Sequence, residues 1–197
     1  MICQGRLVSS FILLFLMTAC GSAHNGWSAF PVAIYADSSI SNSITSESDF
    51  RDAMAFWENK AGKKLFDYKG VWNSNALPYK GNPASPEAVT NNVIFFQNPW
   101  PFAQAIVGQT MVTSSQTEIQ AAMVMINPVT NFCAGDCINE SFRTSERKVI
   151  AHELCHFLGL QHNQNTANLM YPESLPGGSL ADVTIDEATF QALTSDR

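Results

Sequence analysis

The alternation of apolar and polar residues predicts a sheet of five strands in the middle of the chain. Period-two alternation and short apolar runs, bounded by Ser, Pro, Gly or Asn, are typical of strands. Five segments have these features: 30–37, 64–70, 92–98, 105–113 and 119–127. Because helical patterns dominate the end of the chain, we expect a mixed sheet with helices packed on it, which is an α/β (α+β) fold.

Helical periodicity indicates three helices around this sheet. In the first, Phe50, Met54 and Trp57 recur at spacings of three or four residues and would form one apolar face. The three helices are expected at residues 46–63, from the N-cap Thr144 or Ser145 to Gly159, and at residues 182–193. The Ser/Thr-rich segment 38–46 and the Pro/Gly/Asn-rich segment 73–91 are expected to be loops.

Size and composition limit the class of protein. The chain has 197 residues, which suits one folded domain, and 46% of them are hydrophobic, which is too many for a disordered chain. The formal net charge is −6 and no long run of Lys or Arg occurs, so nucleic acid is not expected as a partner. We expect a monomer.

The first residues have the features of an export signal. One cation, Arg6, precedes the apolar run 7–17, which is too short to span a bilayer comfortably. The segment LMTACG around Cys20 resembles a bacterial lipobox, in which cleavage precedes the cysteine and that cysteine receives lipid. Two alternatives remain open: cleavage after Gly21-Ser22-Ala23, which would release a secreted soluble protein, and a buried N-terminal helix.

This segment sets the predicted domain boundaries. Residues 1–19 are expected to form the signal peptide, 20–29 the lipidated N-terminus and tether, and 30–197 the single folded domain. A lipoprotein cysteine carries diacyl and amide-linked chains, which together exceed the two hydrophobic signals that stable anchoring needs. We therefore expect an exported lipoprotein, attached to a membrane through lipid on Cys20 and facing the periplasm or the cell exterior.

Cysteine usage is consistent with export. In the segment CAGDC, Gly135 and Asp136 can reverse the chain, so Cys133 and Cys137 can form a small disulfide in an oxidising compartment. The alternative, a metal clip made by these two cysteines, lacks a second pair of ligands nearby. Cys155 is expected to be a buried free thiol on a helix.

Three of the four histidines lie within eleven residues, in the segment HELCHFLGLQH. His152 and His156 are four residues apart, so they share one face of the predicted helix. His162 can be a third ligand if the helix ends and the chain turns back, and Gly159 permits the left-handed backbone that such a turn needs. Catalytic zinc takes three protein ligands and keeps a fourth position open. We therefore predict one catalytic Zn²⁺ held by these three histidines.

Glu153 follows the first histidine and is placed to act as a general base toward water at the metal. A bare H-E-x-x-H occurs by chance in unrelated chains, but the longer pattern H-E-x-x-H-x-x-G-x-x-H is far more specific. Followed by a methionine turn, it is the signature of the metzincins, which this chain resembles. Met170, in the segment ANLMYP, matches the methionine that lies below the metal site in that family.

Within the metzincins the chain most resembles the small bacterial matrixin-like proteases, over residues 30–193. The resemblance implies a twisted five-stranded mixed sheet, two long helices and a short C-terminal subdomain. It implies a zinc endopeptidase that hydrolyses extended protein or peptide substrates with an activated water and Glu153 as general base. The strand at 105–113 would pair with the substrate, and a pocket around 170–174, with Lys148 at its base, would select a side chain.

Two other functions remain open at this point. A metzincin scaffold without activity could serve as a surface lipoprotein that binds a protein partner, because a fold does not guarantee a reaction. The same zinc site could also serve an amidase or esterase. The presence of Glu153 favours the endopeptidase.

Overall fold

A computed structural model describes residues 26–72, 91–140, 142–173, 177–186 and 191. Its main sheet has five strands: β1 (Val32–Ala36), β2 (Phe66–Val71), β3 (Val93–Phe96), β4 (Gly108–Ser114) and β5 (Ile119–Ile126). Their order is β2-β1-β3-β5-β4, with β4 antiparallel to β5 and the other pairs parallel. The predicted five-stranded mixed sheet is therefore confirmed, and β4 forms one of its edges.

Strand β5 shows why the sheet is central to the core. Consecutive side chains of a strand point to opposite faces. Ala122, Val124 and Ile126 are buried in the larger apolar cluster, whereas Ala121, Met123 and Met125 are buried in a smaller cluster on the other face. A strand that is covered on both faces has a nearly continuous apolar sequence, as AAMVMI does.

Two long helices pack on the larger cluster, namely α2 (Ile44–Ala61) and α3 (Glu146–Phe157). The Ser145 hydroxyl caps α3 by accepting a hydrogen bond from the Lys148 amide, so the predicted N-cap is confirmed. The Trp57 indole of α2 donates to the Ala151 carbonyl of α3 at 2.7 Å. This buried bond fixes the two helices against each other at the start of the histidine segment.

The first helical region differs from the predicted loop at 38–46. A short helix α1 (Ser38–Ser41) lies there, and its N-cap Asp37 accepts from the Ser39 amide. Helix α2 then begins at Ile44, earlier than predicted, because the Ser43 hydroxyl caps it. Strand β4 begins at Gly108 instead of 105, since Ile106 closes a turn with the Ala103 carbonyl.

The predicted helix at 182–193 is wrong at its start. Leu180–Asp182 forms a single 3₁₀ turn, and Thr184 then pairs with Asn168 in a bridge between the two chain segments. The Leu169 amide donates to the Thr184 carbonyl, so backbone pairing replaces helical bonds here. Beyond residue 186 only Gln191 is described, and it is helical.

The structured part of the chain begins before the predicted domain boundary at Phe30. Trp27 is buried, and its indole donates to the Phe157 carbonyl at 2.7 Å, while Gly26 bridges to Glu118. Residues 26–29 therefore belong to the folded domain and not to the predicted tether.

Several predicted features lie outside the described residues. They are the signal segment 1–19, Cys20, His24 and nearly all of the loop at 73–91. Within the described ranges, no helix is both long and apolar enough to cross a membrane.

Candidate metal centre

Helix α3 presents two of the predicted ligands and its end provides the third. His152 and His156 lie one turn apart on the half-buried side of the helix, whereas Ile150, Leu154 and Phe157 are buried. The helix ends in a Schellman turn, in which the Gly159 amide bonds to His156 and the Leu160 amide bonds to Cys155. Gly159 has φ = 95°, a left-handed conformation that glycine adopts without a steric penalty.

This turn brings His162 back to the helix, and the three imidazoles converge. The Nε2 atoms are separated by 3.3 Å for His152 and His162, 3.2 Å for His152 and His156, and 3.1 Å for His156 and His162. Tetrahedral zinc with Zn–N bonds of about 2.0–2.1 Å would place its nitrogens about 3.3–3.4 Å apart. The spacing of the three nitrogens therefore fits one zinc ion.

The other ring nitrogens explain the orientation of the two helical histidines. His152 Nδ1 lies 2.7 Å from the Leu169 carbonyl, and His156 Nδ1 lies 2.7 Å from the Leu160 carbonyl. Because a carbonyl oxygen only accepts, each Nδ1 carries a proton and each Nε2 keeps its lone pair for a metal. This pairing of Nδ1 with a fixed acceptor is the usual second contact of a zinc-binding histidine.

The three imidazole rings are also in a protonation state that allows metal binding, because their pKa values are lowered. Burial, followed by the neighbouring His156, lowers the pKa of His152 to about 4. Burial likewise lowers the pKa of His156 and of His162. Neutral imidazoles are the form in which histidine binds metals.

The third predicted ligand, His162, lies on a loop that hydrogen bonds fasten to the segment after it. The amide of Asn163, the residue after His162, donates to the Met170 carbonyl at 2.7 Å. The Asn163 side chain donates to the Asp186 carboxylate, which also accepts from Asn168. Met170 itself is fully buried, directly after this loop. The two ends of the loop between His162 and Met170 are thus joined by a backbone hydrogen bond, and side-chain bonds to Asp186 fasten it further.

Glu153 lies next to the first histidine and faces the edge strand. Its side chain is buried, and Thr110 of β4 contacts its carboxylate Oε2 at 2.7 Å. Burial raises the pKa of Glu153 to about 7, although the Thr110 hydrogen bond acts in the opposite direction. A cleft of about 430 Å³ is lined by all three histidines, by Glu153 and by Gly108 of the edge strand.

Gly108 and Thr110 lie in the strand predicted at 105–113, but their contacts with Glu153 are not predicted by the sequence. A signal for the glycine exists, because an isolated Gly inside a strand pattern indicates close approach of another group. Nothing in the sequence indicates which hydroxyl meets Glu153. The predicted pocket residue Lys148 does line the cleft, where its Nζ donates to the Gly177 carbonyl at 3.1 Å.

The disulfide loop lies at the start of α3. Cys133 and Cys137 are joined, with their Cα atoms 5.9 Å apart, and Cys155 is a buried free thiol. Within the loop, Gly135 accepts a hydrogen bond from the Ser145 hydroxyl at 2.8 Å. Its amide donates to the buried Asp49, which also pairs with Arg147 at 3.0 Å. The loop thereby ties the N-terminus of α3 to α2.

The mixed sheet, the two packed helices and the three-histidine cluster beside a buried glutamate are the features expected of a zinc metalloprotease. The sequence profile of the matrixin family matches residues 50–178, more than half of the chain. The chain belongs to the matrixin family, so the predicted matrixin-like assignment is confirmed at the level of the family. No curated protein matches the chain.

Proposed function

We propose that this protein is a zinc-dependent endopeptidase that cleaves extended segments of protein substrates. Family membership supports a zinc metalloprotease. The observation that carries the proposal for this chain is the convergence of three metal-facing Nε2 atoms within 3.3 Å, in a cleft that also contains the Glu153 carboxylate. The Glu153 carboxylate in this cleft favours the enzyme over a binding scaffold, because water activation needs a base beside the metal site.

The three histidines would hold the zinc, which when bound supplies Lewis-acid polarisation of the scissile carbonyl and of a water molecule. Glu153 takes a proton from the attacking water as the new C–O bond forms. It returns that proton to the amine nitrogen as the C–N bond breaks. One water is thereby consumed for each peptide bond, and the glutamate ends as it began.

Substrate would bind along strand β4. This strand pairs with β5 on one side, and no described strand covers its other side. A free strand edge presents unpaired amide and carbonyl groups, to which an extended peptide can add as a further strand. Since the cleft is lined by residues 105–109, such a peptide would run past the three histidines.

A cleavage assay tests this function. We expect the zinc-loaded protein to cut an unstructured protein at internal bonds, a zinc chelator to stop the reaction, and added zinc to restore it. Products are identified by mass spectrometry. Cleavage of small non-peptide amides or esters alone would replace the proposal with an amidase or esterase, and zinc binding without any hydrolysis would replace it with a protein-binding scaffold.

We also propose that the mature protein is exported and held at a membrane by lipid on Cys20. The motivating features are the apolar run after Arg6 and the lipobox-like LMTACG. Mass spectrometry of the mature N-terminus after cell fractionation checks this. We expect a lipid-modified Cys20 in the membrane fraction, and an unmodified N-terminus at His24 in the soluble fraction would indicate secretion instead.

A further inference from the structure

Strand β4 and helix α3 meet at Thr110 and Glu153, and Glu153 is the proposed base. Thr110 Oγ1 lies 2.7 Å from Glu153 Oε2 and 2.9 Å from the Glu153 backbone carbonyl. The two residues are 43 positions apart in the sequence. A hydroxyl has one proton to donate, and it forms the stronger hydrogen bond with an ionised carboxylate.

On the side of β4 that carries the Thr110 side chain, Gly108 leaves space for the Glu153 carboxylate. Gly108 and Thr110 are two positions apart, so they face the same side of the strand. A Cβ at position 108 would lie 2.8 Å from both Cγ and Oε1 of Glu153, closer than unbonded atoms approach. The backbone of Gly108 is not left-handed, so the effect of a larger residue here would come from space and not from conformation: a methyl group would force the Glu153 side chain to shift.

We propose that Thr110 and Gly108 position Glu153 for proton transfer, Thr110 by holding Oε2 and Gly108 by leaving room for Oε1. This inference rests on the proposed function. With Oε2 held by the hydroxyl, Oε1 is the atom that takes the proton from water and returns it to the amine. Oε2 can accept from Thr110 whether Oε1 carries that proton or not, so the carboxylate keeps its orientation through both transfers.

This arrangement also joins substrate binding to the base. The strand that would pair with the substrate is the strand that orients Glu153, and the Thr110 side chain contacts both the carboxylate and the backbone of α3. A catalytic group must be held close to its productive geometry, because a displacement of about 1 Å can cost about 100-fold in rate. Thr110 and Gly108 are thus positioning residues that act through Glu153.

A kinetic comparison of two Thr110 variants tests the proposal. Thr110→Val keeps the shape and removes the hydroxyl, and we expect kcat to fall by about 10- to 100-fold with KM changed by less than about threefold. Thr110→Ser keeps the hydroxyl and should recover most of the rate. Thr117→Val, the same change at an exposed position between β4 and β5, should match wild type. Two results would overturn the proposal. One is a wild-type kcat in Thr110→Val, and the other is a kcat in Thr110→Ser that is reduced as much as in Thr110→Val.

Crystal structures of the zinc-free proteins give a readout that does not depend on turnover. We expect Glu153 Oε2 to contact Thr110 in wild type and to turn away in Thr110→Val. In Gly108→Ala the new methyl group should displace the carboxylate while the backbone of β4 stays in place. An unmoved carboxylate in both variants would show that neither residue positions it. If wild type cleaves no peptide, the proposed function fails, and these structures alone decide the role of Thr110.

Discussion

Replacement of Glu153 by glutamine is expected to lower kcat/KM for peptide cleavage by about 100- to 10,000-fold, the usual contribution of a general acid–base group. Glutamine has nearly the same shape, and its amide oxygen can still accept the Thr110 hydrogen bond. It cannot take a proton from water. The three histidines are untouched, so the zinc content should stay at about one per chain. Initial rates of cleavage of a fluorescence-quenched peptide give kcat/KM, and metal analysis of the same sample gives the zinc content per chain.

A matched control separates this effect from a general change of charge. Glu118→Gln makes the same substitution in the turn between β4 and β5, and its activity should equal that of wild type. Equal rates in wild type and Glu153→Gln would exclude Glu153 as the base. A Glu153→Gln protein that has lost its zinc would give no information on the base, so its rate is compared only after zinc loading has been verified.

The convergence of the three histidines could be predicted from the sequence because its determinants are local. Two of the histidines lie one turn apart on a helix, and the third follows a glycine turn, all within eleven residues. Ser145, as the N-cap, fixes where the helix begins, and Gly159 fixes where it ends. Helical spacing and turn chemistry act over a few residues, so the pattern alone indicates that the three side chains meet.

The surroundings of Glu153 could not be predicted in this way. The contact with Thr110 depends on β4 lying outside β5 in the order β2-β1-β3-β5-β4, although β4 comes between β3 and β5 in the sequence. Strand order is set by packing over the whole sheet and not by local pattern. The burial of Trp27 likewise depends on a partner 130 residues away, the Phe157 carbonyl.

Tertiary pairing also overrode local propensity near the end of the described chain. The segment after Asp182 has the polar and apolar mixture of an amphipathic helix, yet Thr184 pairs with the chain around Asn168. Those backbone bonds fasten the loop that follows His162. Helix propensity is a weak prior, and a few tertiary hydrogen bonds are enough to reverse it.

Replacement of His156 by alanine is expected to abolish stoichiometric zinc binding. Loss of an outer-shell partner usually weakens metal affinity by about 10- to 100-fold, so loss of a ligand should weaken it by more than about 100-fold. His156 has the shortest Nε2 separation to His162, and its Nδ1 contacts the Leu160 carbonyl, so the variant also loses a contact that orients the turn. Metal analysis after dialysis measures the loss.

Thermal unfolding supplies the second readout for this variant. A ligand that binds only the folded state raises the free energy of unfolding in proportion to the logarithm of its concentration. Added zinc should therefore raise the Tm of the wild-type apoprotein and leave the Tm of His156→Ala unchanged. His24→Ala removes the fourth histidine of the chain, which lies outside the motif, and should respond to zinc as wild type does. Undiminished zinc in His156→Ala, or a loss in His24→Ala, would contradict the three-histidine centre.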